Sequence, residues 1–126
     1  MQTIFAIAAG GAVGAVLRHF LNSGALHLFG AGFPWGIMMA NILGSFIMGV
    51  LISWFALMAE VSQVWKAFLM VGLLGAFTTF STFSMDAVLL FERGAVAAAG
   101  LYIAGSVVLA IGGLVAGMTL VRMLVL

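Results

Sequence analysis

The chain has no cysteine, and of its 126 residues very few carry charge. The first absence excludes disulfides, cysteine-bound metals and thiol catalysis. The second excludes an ordinary soluble domain, because charged residues make up 6% of the chain, against a soluble average of about 25%. The only acids and bases are Arg18, Glu60, Lys66, Asp86, Glu92, Arg93 and Arg122, and their formal net charge is +1. No basic patch suited to nucleic acid can be assembled from four such residues. The Gly-x-x-x-x-Gly-Lys-Ser/Thr phosphate loop is also missing, so nothing suggests coupling to ATP. Nothing in the pattern points to an enzyme.

Apolar sequence fills the space. Hydrophobic residues are 66% of the chain, and the mean hydropathy is +1.37. This is the composition of an integral membrane protein, and the runs predict a single all-α transmembrane domain over 1–126, with helices at about 4–21, 35–59, 64–91 and 95–124. The first run could pass for a signal peptide, but Met1-Gln2-Thr3 has no basic side chain and the Arg comes at the far end, so a retained helix is expected. Asn22-Ser23-Gly24 is read as its end, with Gly30 to Pro34 completing the loop. Gly10 and Gly14 in the first helix, Gly44 and Gly49 in the second, and Gly113 and Gly117 in the fourth form narrow faces where helices can approach closely.

Four spans place both termini on one side. That side carries Lys66 and Arg122, and the other carries Arg18 and Arg93. The positive-inside rule therefore expresses no preference, and the sequence is compatible with insertion in both orientations and with an antiparallel dimer. Arg18, Asn41 and Asp86 all fall toward the side away from the termini. Ser106 and the Thr78-Thr79 region fall nearer the middle.

The third run is longer than the roughly 20 residues that cross a bilayer, and its centre is unlike a lipid-facing helix. From Gly72 to Ser84 it gathers two glycines, five hydroxyl side chains and three phenylalanines. Irregular backbone within a membrane survives only where protein or a polar cavity receives its freed polar groups. A break is expected where Gly72-Leu73-Leu74-Gly75 gives way to Thr78-Thr79. Its carbonyls would offer oxygen ligands to a hard cation, and its hydroxyls and phenyl edges would offer positive partial charge to an anion. Phe80 and Phe83, three apart, are neighbours on one helix face, where a pair turned edge-on would hold an anion weakly enough to release it. Asn41 reads either as glue between helices or as a donor to an anion that has shed water. Arg18 reads as a snorkelling helix end or as a charge that attracts anions. Asp86 is a candidate partner for Arg18 or Arg93.

These residues carry a resemblance. The segment Gly72-Leu73-Leu74-Gly75-Ala76-Phe77-Thr78-Thr79-Phe80-Ser81-Thr82-Phe83-Ser84 is similar to the glycine-rich, Thr-Thr-Phe-Ser-Thr-Phe break of the Fluc (CrcB) family of fluoride channels. Gly11-Ala12-Val13-Gly14 with Arg18, and Gly36 with Asn41 and Gly44-Ser45-Phe46, extend the likeness over essentially the whole chain. The resemblance implies an antiparallel, dual-topology homodimer in a cell membrane, the bacterial inner membrane, passively exporting fluoride and so lowering its cytoplasmic concentration. It implies two fluoride paths and a structural sodium ion on the two-fold axis, held by backbone carbonyls of Gly75 and Thr78 from both subunits. It makes Phe80 and Phe83 a phenylalanine box, Asn41 a pore donor, and Ser81, Thr82 and Ser106 polar members of the track. Three positions depart from the pattern: Asp86 stands where many relatives have Glu, Ala76 replaces a common second Gly, and Ala110 sits where relatives often have a hydroxyl.

The rival reading is a proton-coupled transporter of the small multidrug resistance type, which shares the four-helix size. That mechanism needs a titratable carboxylate deep in the membrane. The first helix has none, and Asp86 lies toward the end of the third.

Overall fold

The computed structural model describes residues 1–126 and is entirely helical. Four helices are long and apolar enough to cross a membrane: α1 (Gln2–Phe29), α2 (Trp35–Leu57), α3 (Gln63–Glu92) and α4 (Val96–Val125). The protein is a multi-pass membrane protein. Backbone groups in hydrocarbon have no water to turn to, so each span must satisfy its own ladder. Three of the four do so without interruption, and α3 does not.

Small residues decide which helices meet. Gly10 and Gly14 of α1 rest on the backbone of α3 at Phe68, Gly72 and Leu73, and a Cβ at either glycine would collide with a carbonyl there. Gly49 of α2 meets the Leu114 carbonyl of α4, and Gly117 of α4 meets Phe46 of α2 in the same way. Lipid tails are as apolar as leucine, so such close packing rather than water exclusion joins the helices. The result is two tight pairs, α1 with the first half of α3 and α2 with α4. Beyond the break, the second half of α3 leans on α4 and the start of α2 through a core of Ile37, Phe83, Ala87, Leu90, Ala99 and Tyr102.

The ends of α2, α3 and α4 fall within two residues of expectation. The end of α1 does not. Asn22-Ser23-Gly24 stays helical, and the helix runs to Phe29, where Gly30 takes φ +78 and its N–H reaches the Leu26 carbonyl. Asn22 serves as a packing surface instead of a stop, lying directly against Gly36 at the start of α2. Beyond it Ala25 is also buried, at 4% exposure. Arg18 is therefore not a helix end; it lies eleven residues before the last residue of α1, about 16 Å at 1.5 Å per residue.

The link between α3 and α4 is set by local chemistry. Gly94, at φ +81, donates to the Phe91 carbonyl, and Ala95 donates to the Leu90 carbonyl. This pair of bonds closes the helix C-terminus and needs a left-handed residue that glycine adopts without steric cost. Arg93, beside it, donates from its guanidinium to the Gly32 carbonyl at 3.1 Å, tying the α1–α2 loop to the same end of the bundle.

A break in the third helix and the groove beside it

Helix α3 changes character four times. It begins behind a Ser62 cap that accepts from the Val64 N–H, widens to π-type winding over Ala67–Leu74, and makes one α-turn over Gly75–Phe77. Thr78 (ψ 155) and Thr79 (φ −154, ψ 127) are then extended, and helix resumes over Phe80–Glu92. Wide turns of this kind occur mostly at functional sites. The wide segment, not anticipated from the sequence, carries Gly72 onto the Ile7 carbonyl and the Gly10 backbone. The break itself falls at the two threonines, where it was expected.

Side chains close the break by taking over backbone bonds. The Asn41 amide faces Thr79 squarely: its Nδ2 donates to the Thr79 carbonyl at 3.1 Å, and its Oδ1 accepts from the Thr79 N–H at 2.8 Å. Thr79 Oγ1 caps the second half of α3 by accepting from the Thr82 N–H at 3.3 Å and touches the hydroxyls of Ser81 and Thr82 at the same distance. Thr78 Oγ1 folds back onto the Leu74 carbonyl at 2.9 Å. In a continuous helix the Thr79 N–H would bond the Gly75 carbonyl, and the Thr82 N–H would bond the Thr78 carbonyl. Both donors are diverted to side chains, so the carbonyls of Gly75 and Thr78 are left free of their helical partners.

Next to the break lies a groove of about 250 Å³ lined by Asn41, Ser45, Thr78, Thr79, Phe80, Phe83, Ser106, Val107 and Ala110. Of the residues expected along an anion path, four meet here: Asn41, Phe80, Phe83 and Ser106. Ser106 is 4% exposed, and its hydroxyl has no hydrogen-bond partner. Asn41 spends one of its two amide hydrogens on Thr79 and keeps the other. Phe80 and Phe83 are neighbours, with ring centroids 5.6 Å apart and planes inclined by 43°. They are not equivalent, since Phe80 is 78% exposed and Phe83 only 8%.

The other expected residues lie elsewhere. Ser81 is exposed and Thr82 half-buried, and neither lines the groove. Thr82 borders a second cavity of similar volume, with Asn22, Asp86 and Arg93. Arg18 is half-buried and lines neither cavity. Asp86 bonds neither arginine; it accepts from the Tyr102 hydroxyl at 3.3 Å, while Arg93 is turned to Gly32. Tyr102 was not singled out in the sequence, although it is the only tyrosine in the chain, and a phenol on a membrane helix must find a partner for its hydrogen.

The chain is an all-helical, multi-pass membrane protein with one span opened at a polar, aromatic-lined break, an irregularity the bilayer tolerates only where protein or a cavity receives it. Residues 5–118 match the family model described as CrcB-like protein, Camphor Resistance (CrcB), and the chain belongs to that family. It is 50% identical over 122 residues to a protein of Rhodospirillum centenum named fluoride-specific ion channel FluC, with 97% of each chain covered. It is 47% identical over 121 residues to the protein of the same name from Rhodopseudomonas palustris, covering 96% of this chain and 98% of the relative. The fluoride-specific ion channel FluC 1 of Nitrobacter hamburgensis is 48% identical over 121 residues, with 96% of each covered.

Proposed function

We propose that this protein is a passive, fluoride-selective channel and that the groove beside the α3 break is part of its anion path. The observation that carries the reading is a set of spare donors in one groove with two phenyl rings: the unpartnered Ser106 hydroxyl and the second Asn41 N–H share its wall with Phe80 and Phe83. The names of the relatives agree with it. Fluoride is small and tightly hydrated, so a conducting site must replace its water with several donors and still release it. Neutral hydroxyls, an amide and positive ring edges do this without a fixed charge that would trap the ion. The test is fluoride release from proteoliposomes read with a fluoride electrode. Release should be rapid only when a potassium carrier compensates charge, and chloride should stay behind; no release, or equal chloride release, would refute the reading.

The functional unit in this reading is an antiparallel homodimer. Phe80 and Gly75 both lie exposed on the single chain although they flank the break, and a second copy would cover them. The balance of two basic residues on each side suits insertion in both orientations. Adding two lysines to the loop 58–62 should force one orientation and lower flux, and co-expression of an oppositely biased copy should restore it. Full flux from a single fixed orientation would defeat the antiparallel assembly.

The free carbonyls of Gly75 and Thr78 fit a structural sodium ion. Unpaired carbonyls cost several kcal/mol each in hydrocarbon. No acidic side chain lies in the stretch to balance a divalent ion, and oxygen ligands suit a hard cation. When bound, the ion would supply positive charge that pairs these oxygens across the two-fold axis. Exhaustive removal of sodium should therefore lower flux, while flux in sodium remains a net movement of negative charge. Electroneutral flux coupled one-for-one to sodium would make the protein a cotransporter instead.

A further inference from the structure

Asp86 lines the second cavity and not the groove, yet through Tyr102 it is linked to Phe83, whose ring does line the groove. Tyr102 of α4 is wholly buried, at 0% exposure, and clasps two residues that stand three apart on α3. Its hydroxyl donates to Asp86 Oδ2 at 3.3 Å. Its ring lies 5.1 Å from that of Phe83 at an interplanar angle of 41°. Phe33 abuts the same ring edge-on, with centroids 5.5 Å apart at 89°.

The phenol is therefore fixed at two places. Phe33 and Phe83 hold the ring, and Asp86 holds its tip. A buried hydroxyl with no acceptor is costly, so removing the carboxylate would drive Tyr102 to rotate in search of another partner. Phe83, stacked against it in a close-packed core, could not keep its plane while Tyr102 turned. The angle of Phe83 decides whether an edge or a face looks into the groove, and only the edge is attractive to an anion.

We propose that Asp86 is a positioning residue: its carboxylate fixes Tyr102, and the Tyr102 ring fixes the plane of Phe83 at the groove. The consequence for flux rests on the function proposed above, whereas the geometry stands without it. What Asp86 contributes is an acceptor oxygen and not its charge. Asparagine, which keeps a carbonyl oxygen at the same reach, should therefore substitute for it, and alanine should not.

The experiment places a fluorine-labelled phenylalanine at position 83 of the full-length protein in lipid nanodiscs and follows its fluorine NMR resonance beside liposome flux. Asp86→Ala should shift the resonance, and adding Tyr102→Phe should bring it back toward the parent, because the rotation is driven by the orphaned hydroxyl. Flux should fall about tenfold in Asp86→Ala and recover in the double variant. Asp86→Asn should retain the parent resonance and flux. An unmoved resonance in Asp86→Ala, or no recovery in the double variant, would overturn the proposal. Should Asp86→Ala not assemble, the double variant decides: without an orphaned hydroxyl it should assemble with a resonance close to the parent's, and failure to do so refutes the clasp. A moved resonance with unchanged flux would uphold the clasp and refute the anion role of Phe83.

Discussion

Asn41→Asp is expected to reduce fluoride flux by roughly a hundredfold or more, the change that about 3 kcal/mol at the barrier produces. The replacement is nearly isosteric, and its effect follows from the two bonds the amide makes with Thr79. Where Nδ2 now donates to the Thr79 carbonyl at 3.1 Å, aspartate would set a carboxylate oxygen against a carbonyl oxygen. The second amide hydrogen, spare and beside the groove, would be replaced by negative charge in the path of an anion. The remaining Oδ1 bond to the Thr79 N–H would persist, and the glycine contacts that join the helices lie elsewhere, so the variant should elute as the parent does. Asn41→Ser, shorter but uncharged, should conserve part of the flux. Liposome efflux with size-exclusion chromatography separates these outcomes, and full flux in the aspartate variant would reduce Asn41 to an interhelical tie.

Phe80→Ile and Phe83→Ile should each slow flux about tenfold or more, but with different structural costs. Phe80 stands 78% exposed on the single chain, so its ring contributes little to the fold of one protomer. Its loss should leave the helical content seen by circular dichroism unchanged, and any cost should fall on the contact between copies. Phe83 is 8% exposed and packed on Tyr102 at 5.1 Å, an aromatic pair worth about 0.5–1.5 kcal/mol beyond its burial. Its replacement should lower both flux and melting temperature. Normal flux in both variants would remove the rings from the anion path.

Much of the architecture was legible because the membrane simplifies the code. With hydrocarbon as solvent, length and apolarity alone define spans, and α2, α3 and α4 end within two residues of the expected positions. The end of α1 was hidden for the same reason. Asn22-Ser23-Gly24 would stop many soluble helices, but here Asn22 packs on Gly36 and the ladder continues to Phe29. The break was readable from Gly72, Gly75 and the paired threonines, since no continuous span needs that mixture. What the sequence hid was which side chain would take each freed backbone bond. Asn41 and Thr79 are 38 positions apart, and nothing local to either predicts the partner. Asp86 likewise pointed to an arginine by charge, and the nearer phenol won it.

The amide bridge between Asn41 and Thr79 also bears on how the membrane acquires this molecule. No proline enforces the extended pair at Thr78 and Thr79; the single proline lies in the α1–α2 loop. The interruption is held from outside, by a residue that leaves the ribosome well before the segment it bends. The amide of α2 finds its partner only when α3 arrives, and the backbone groups of Thr79 find theirs only because α2 is already there. The broken shape of α3 is thus a joint product of an older span and a younger one.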